Sequence, residues 1–261
     1  LFVDDKFVFH YEGGYLPFSV DITDYLNESE NLTLLVNVED RLLHKYPYGK
    51  QTKNPGGMWY TPVSGIWQTV WIESVNSSYI DSLKITPTKN SLELKIKTST
   101  QNFENQKVKF KINIKRENQK DLIFESEEGE FNIPLSEKEG FEHWTVENPK
   151  LYNFSITAFF QEENQEDVVE SYFAWRVISI EEKKLCLNGK PIFLHAVLDQ
   201  GYYPEGIYLP ENPYAFEMDI LNLKNLGFNT LRKHIKIEPD YFYYLCDKLG
   251  IFVMQDMVNN G

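Results

Sequence analysis

Apolar and polar residues alternate with a period of two over Leu92–Lys97 and Val108–Lys115. That period sends successive side chains to opposite faces and predicts antiparallel strands with one face in water. Strands are also expected at Leu32–Val38, Gln68–Glu73, Phe154–Phe159 and Ser171–Trp175. Two hairpins are signalled. Leu1-Phe2-Val3 and Phe7-Val8-Phe9 flank Asp4-Asp5-Lys6, and Asn188-Gly189 divides the apolar stretch Leu185–Leu194. The period then lengthens. Phe216, Ile220, Leu223 and Leu226 fall on one face of a helix with Pro213 near its first turn and Gly227 as its stop. A second helix from Pro239 to Leu249 turns Phe242, Leu245, Cys246 and Leu249 inward and ends at Gly250. Short strands ending at Leu198-Asp199-Gln200, Arg232-Lys233-His234 and Gln255-Asp256 frame the helices, the grammar of a parallel α/β unit.

Three territories follow: residues 1–77 of strands and loops, an all-β stretch over 78–178, and the parallel unit over 179–261. Several short strands in the middle territory suggest an immunoglobulin-like sandwich, without a cysteine pair. Its acidic runs, Glu125–Glu130 and Glu162–Asp167, are expected to be solvated turns. The long Lys-, Tyr-, Pro- and Gly-rich stretch Glu39–Gly65 has the length of a functional loop, and its Lys50 and Gln51 are candidates to reach the parallel strand ends. Parallel strands need neighbours on both sides, and Leu1 falls inside an expected strand. The chain is therefore expected to be a piece of a longer polypeptide. A complete protein with a small three-stranded α/β cap is the alternative.

Composition narrows this further. At about 150 residues per domain, 261 residues suggest about two domains. With 42% hydrophobic and 25% charged residues the chain is globular in character. Its 26 Lys+Arg against 39 Asp+Glu, a net charge of −13, argue against a nucleic-acid partner. No run approaches the ~20 apolar residues of a membrane span. Leu1–Asp5 lacks the basic start of a signal peptide, so no membrane partner and a cytoplasmic location are expected. Cys186 and Cys246, far apart inside apolar segments, read as reduced buried thiols. Aromatics reach 15%, which serves strand packing first and offers flat faces to sugar C–H groups second.

Candidate chemistry gathers at the three strand ends, where Asp199, Arg232, His234 and Asp256 stand. Each alone could be a cap or loop residue. Three consecutive strands ending in such groups predict a substrate-binding rim. Arg232 has the planar fork that holds a carboxylate, and His234 could bond hydroxyls or pack beside the loop. Asp199 and Asp256 as a glycosidase carboxylate pair are not favoured, because neither stands in an obvious apolar pocket. No G-x-G-x-x-G, Walker loop or H-E-x-x-H occurs, and His10, His44, His143, His195 and His234 have no ligand spacing, so neither cofactor nor metal is expected. Asn-x-Ser/Thr matches at Asn27, Asn31, Asn76 and Asn153 carry no weight in an Asn-rich chain.

The order of these stretches resembles glycoside hydrolase family 2, the β-galactosidases, β-glucuronidases and β-mannosidases. Gly13–Phe18 followed by Asp21-Ile22-Thr23 resembles the family's jelly-roll sugar-binding-like domain. Trp59–Glu73 is similar to that domain's last strands and is the most specific match. Glu147–Tyr152 resembles the W-x-P-x-L-Y element of the sandwich, with Glu147-Asn148 where the Trp usually lies. Phe173–Arg176 stands where the family has Gly-Phe-Arg, and Leu187–Pro191 with Leu226–Arg232 look like the opening of its TIM (β/α)8 barrel. The resemblance implies a multi-domain, mainly β protein: a partial jelly roll over 1–77, an immunoglobulin-like sandwich over 78–178 and the first strands of the barrel over 179–261. It implies a retaining exo-β-glycosidase acting on a carbohydrate, with homo-oligomerisation of the full-length protein left open. Its two glutamates, acid/base and nucleophile, would lie beyond residue 261, so these residues alone are expected to be inactive. Arg232 corresponds to an arginine that supports the nucleophile, and Asp199 lies where strand-one residues face the sugar. Val197–Gly206 departs from the Asn-Arg-His-Asp pattern of β-galactosidases, which leaves the sugar open. A non-catalytic carbohydrate-binding or adhesion protein is the rival reading.

Overall fold

A computed structural model describes residues 1–26, 31–43, 45–100 and 107–259, and the fold is mainly β. Asn27 and His44 lie outside the described residues. At the N-terminal end, β1 (Phe2–Val3) and β2 (Lys6–Phe7) form the expected hairpin. Asp4 and Asp5 turn it with φ of 44° and 65°, the positive pair that matches the twist of two-residue hairpins. β3 (Leu34–Leu35) pairs with the other side of β1. Two expectations are corrected here. The strand expected at Leu32–Val38 contracts to β3, and Gln68–Glu73 forms no strand, with Trp71 68% exposed. The alternation is present in both. Among the described residues, however, no neighbouring strand supplies the hydrogen-bond ladder that would make Gln68–Glu73 a strand.

The middle of the chain contains β4 (Ser78–Pro87), β5 (Ser91–Thr100), β6 (Val108–Ile114), β7 (Leu122–Ser126), β8 (Glu130–Pro134), β9 (Tyr152–Phe160) and β10 (Gln165–Phe173). They build two antiparallel sheets, β4-β5-β8 and β10-β9-β6-β7. The inward residues of both sheets share one apolar cluster that includes Leu92, Leu94, Ile112, Ile114, Phe154, Ile156 and Phe160. The acidic run Glu125–Glu130 is only partly a turn: its ends belong to β7 and β8, and the chain changes sheet between them. Gly129 is needed at that crossing, because a Cβ there would sit 2.5 Å from the Ile96 carbonyl oxygen. Ser171–Trp175, expected as a separate strand, is largely the tail of the longer β10.

Beyond the sandwich, β11 (Ile178–Glu181), β12 (Lys184–Leu187) and β13 (Lys190–Pro191) form a meander, with Asn188 and Gly189 at positive φ in its second turn. Then come β14 (Ala196–Asp199), α1 (Tyr214–Asn225), β15 (Thr230–Lys233), α2 (Asp240–Leu249) and β16 (Phe252–Gln255). The three strands are parallel, in the order β14-β15-β16. Phe216, Ile220, Leu231, Phe242, Leu245, Cys246 and Ile251 form their core. Leu226 does not join it. It is the C-cap of α1 and 70% exposed, because the chain turns away at Gly227 before the helical stripe can extend that far. Gly250, at φ 77°, ends α2 as a left-handed cap. Cys186 and Cys246 are free and buried, and burial pushes the Cys246 thiol well above its ordinary value.

The sandwich is tied to α2 by polar contacts. Trp144 Nε1 donates to the Asp247 carbonyl at 2.7 Å, Arg176 pairs with the Asp247 carboxylate at 2.6 Å, and the Tyr172 hydroxyl donates to the same carboxylate at 3.1 Å. Among the described residues no helix is long and apolar enough to cross a membrane.

Candidate active site at the parallel strand ends

The register of the parallel sheet aligns Asp199 with Lys233 and Lys233 with Gln255, so β14, β15 and β16 finish level. Alternation along β15 and the residue that follows sends Arg232 and His234 one way and Lys233 the other. The four candidate residues therefore fall into two groups.

The first group faces water. Asp256 follows β16 and accepts from Arg232 Nη2 at 3.0 Å, and its Oδ2 lies 3.1 Å from His234 Nδ1. The His234 hydrogen bond, and after it Arg232, hold the Asp256 carboxyl below the usual carboxylate range. Arg232 is half exposed, so part of its fork remains available. With Nδ1 committed to Asp256, His234 keeps Nε2 for another partner.

Asp199 belongs to the second group, which is covered. Its Oδ2 accepts from Lys233 Nζ and its Oδ1 from the Gly201 amide, both at 2.8 Å. Lys233 is fully buried and also pairs with Glu238, at 2.5 Å. Lys236 Nζ reaches both Glu238 oxygens, at 2.9 and 3.0 Å, and donates to the carbonyls of Gly201 and Tyr208. Two ammonium groups and two carboxylates thus balance one another under a cover of Tyr202, Tyr203 and Tyr208, whose rings lie 4.6 to 5.9 Å from Lys236 Nζ. Burial pulls Lys236 down to about 8, against the pull of Glu238, and pushes the three phenols well up. Gly201 allows this packing: at φ 66°, a Cβ would meet Glu238 Oε1 and both ammonium groups.

Lys236 and Glu238 were not among the residues singled out from sequence, and Lys233 was noted only as part of a strand end. A signal was there. Lys233, Lys236 and Glu238 interleave with Ile235 and Ile237 right after an apolar strand, where a wholly solvated loop would have little use for isoleucine.

The long N-terminal loop does reach this end of the sheet. The Tyr48 and Gly49 amides donate to the Asn259 carbonyl, at 3.3 and 2.8 Å. Gly49, at φ 65°, packs so closely that a Cβ would lie 2.7 Å from the Ile235 carbonyl oxygen. Gln51 locks the loop, accepting from the Val63 amide at 2.7 Å and donating to the Tyr48 carbonyl at 3.2 Å. Tyr60 stacks on Tyr202 with centroids 3.9 Å apart and planes 4° from parallel. Among the described residues no cluster of three or more His, Cys, Asp or Glu could hold a metal ion.

Residues 78–176, the sandwich, match the model of the glycosyl hydrolases family 2. Over this stretch the chain is similar to that family. Among curated relatives, the β-galactosidase of Thermoanaerobacterium thermosulfurigenes is 23% identical, across 98% of this chain and 37% of that protein. The β-galactosidase of Thermoanaerobacter pseudethanolicus is 26% identical, across 98% and 35%. The solved β-glucuronidase 2 of Bacteroides uniformis, covalently bound to cyclophellitol-6-carboxylate aziridine, superposes with a TM-score of 0.76 at 21% identity, covering 99% of this chain and 32% of that one. The chain thus spans about a third of the length of these relatives. The family model stops at residue 176, whereas the relatives and the superposition carry the likeness across the strand ends as well.

Proposed function

We propose that this chain is part of a retaining exo-β-glycosidase that removes terminal β-linked sugars, of β-galactosidase or β-glucuronidase type. Residues 1–77 are read as a sugar-binding-like jelly roll, 78–178 as an immunoglobulin-like sandwich and 179–261 as the opening of a (β/α)8 barrel. The observation that carries this reading is the accessible Arg232–Asp256–His234 group at the C-terminal ends of parallel strands, the face where barrel enzymes place their chemistry. The match of residues 78–176 to the family 2 model and relatives named β-galactosidase support it.

Retention needs two carboxyl groups, one to protonate the leaving oxygen and one to attack the anomeric carbon. Asp199 and Asp256 do not fill those roles. Each is spent on orienting its neighbours, Asp199 on Lys233 and Asp256 on Arg232 with His234. The part assigned to these strand ends is positional. Asp256 fixes the Arg232 fork, whose remaining donors face a carboxylate such as the nucleophile, and turns His234 so that Nε2 meets a sugar hydroxyl. Asp199 holds the Gly201–Tyr208 loop over the same rim.

The test is hydrolysis of nitrophenyl β-galactoside and β-glucuronide by the polypeptide of the whole reading frame, with the product anomer followed by NMR. Retention is expected, and Arg232→Ala should lower kcat by roughly 100-fold, the scale of losing the geometry of a reacting group. Inverted product, or normal turnover in Arg232→Ala, would remove this assignment. Sugar binding without hydrolysis would favour a carbohydrate-binding protein.

A further inference from the structure

Among the described residues, nine other than glycine stand at positive φ, and seven of them are Asp, Asn, Glu or Lys. The remaining two are β-branched: Ile207 at φ 57° and Ile235 at φ 44°. Left-handed backbone crowds Cβ against the following carbonyl oxygen, and a branch at Cβ makes the crowding worse. Such strain persists only where the surroundings impose it, and it gathers at functional sites.

Both isoleucines stand one residue before a group held by the same ammonium. Ile235 precedes Lys236 itself, and Ile207 precedes Tyr208, whose carbonyl accepts from Lys236 Nζ. The turn at Ile235 has a direct consequence. Alternation continued past Arg232, Lys233 and His234 would send Lys236 to the side of Arg232 and His234. With the chain kinked at Ile235, His234 stays on Asp256 while Lys236 joins Lys233 at Glu238. The kink is clamped from three sides. Gln255 Nε2 donates to the Lys236 carbonyl at 2.9 Å, the Glu238 amide donates to the Tyr243 hydroxyl at 3.2 Å, and Gly49 packs on the Ile235 carbonyl oxygen. At Ile207, the amides of Tyr203 and Ile207 each donate to the other's carbonyl at 2.9 Å and close a tip over Pro204, Glu205 and Gly206. Lys236 holds both ends of the Gly201–Tyr208 loop, through the carbonyls of those two residues. The Tyr60–Tyr202 stack braces that loop from the N-terminal side.

We propose that Ile207 and Ile235 are positioning residues, whose strained backbone presets the Gly201–Tyr208 loop and His234 at the sugar-binding rim before substrate arrives. This rests on the glycosidase reading above. Neither isoleucine touches the sugar: Ile235 acts through His234, and Ile207 through the loop. The experiment uses the polypeptide of the whole reading frame, with each isoleucine changed to Val, Ala and Gly. Val keeps the branched shape, so turnover of nitrophenyl β-galactoside and β-glucuronide should stay near that of the wild type. Ala and Gly both remove the side chain, but only Gly relieves the strain. At an ordinary φ the Ala variant is the more stable. Here the Gly variant should melt about 2–4 °C above the Ala variant. Its kcat should nevertheless be about 10-fold lower than that of the Ala variant, because the reacting groups are held less firmly. The Gly201–Tyr208 amides should also exchange with deuterium faster in the Gly variants. A side chain needed for stability alone would move melting and turnover together. An Ala variant that melts above its Gly counterpart would remove that residue from the proposal. Gly variants with the kcat of the Ala variants would overturn it, since the strain would then have no bearing on the site. Absence of hydrolysis by the wild type would bring down the glycosidase reading and the positioning role with it, whatever the melting order.

Discussion

The sandwich and the parallel unit bury different things. In the sandwich, Leu92, Leu94, Ile112, Ile114, Ile156 and Phe160 are sealed inside one apolar cluster, and Ser78 at its margin is the one buried polar residue among its described ones. The parallel unit has an apolar core of its own around Phe242 and Leu245, yet its strand-end side buries Thr230, Lys233, Lys236 and Glu238. Hydrophobic burial is non-directional, so it sets compactness and leaves fine geometry to packing. A buried charge cluster is directional and fails if one member moves. The contrast therefore separates a part of the molecule built for stability from a part where stability is traded for fixed geometry next to the proposed site.

The largest test of that contrast is Glu238→Gln. Among the described residues Glu238 is the only carboxylate bonded to Lys236 and one of two bonded to Lys233. Its loss leaves an uncompensated buried ammonium, for which the expected cost is about 3–5 kcal/mol in urea unfolding. A loss below about 1 kcal/mol, the scale of an exposed pair, would mean that water reaches the cluster and the contrast is false.

A smaller effect should appear with pH. Burial places Lys236 at about 8 in the folded chain, below the ordinary lysine value of 10.5. Between those values the unfolded chain binds more protons than the folded one, so stability rises with pH from about 8 upward, and the penalty is fully present below it. The Tyr203 and Tyr208 phenols, raised by burial, act the other way, because the unfolded chain releases their protons first above the ordinary value of 10.0. Cys246, pushed up by burial from its ordinary value of 9.0, opposes the rise in the same way and from a lower pH. The Lys236 gain over about pH 8 to 9.5, on the order of 1–2 kcal/mol, is therefore read as the difference between the wild type and Lys236→Met. Lys236→Met should abolish the gain. A rise that survives in that variant would assign it to another group.

The same contrast explains what could be read from sequence. Val108–Ile114 and Leu92–Lys97 betray their strands because a one-sided apolar core imposes strict alternation. The parallel unit was legible through Pro213, Gly227, Pro239 and Gly250, which act locally on the backbone. Gln68–Glu73 misled because alternation shows only that a segment could be a strand, and pairing depends on a neighbour far along the chain. At the site, Arg232, His234 and Asp256 were found through the rule that strand ends carry chemistry. Asp199 was grouped with them although it turns to Lys233, because the pleat of β15 decides which side each neighbour faces. Lys236 and Glu238 escaped notice because charges after a strand are usually solvated, and only the Tyr202–Tyr208 cover makes these two buried.

Ile112→Val gives the smallest effect and the control for the others. Ile112 sits at the centre of β6 with no exposed surface, paired with Phe124 on β7 and Ile156 on β9. Removing one methyl group there loses its transfer energy and leaves a small void, for an expected cost of about 1 kcal/mol. Only carbon is removed, and no titratable group is among its cross-strand partners, so the cost should be the same at pH 7 and pH 9. The Glu238→Gln cost should differ between those values, because Lys236 without Glu238 gives up its proton more readily. Measuring both variants at both pH values sets the apolar core against the charged one directly. A pH-dependent cost for Ile112→Val would show that the two regions share one electrostatic response, and the division between them would not hold.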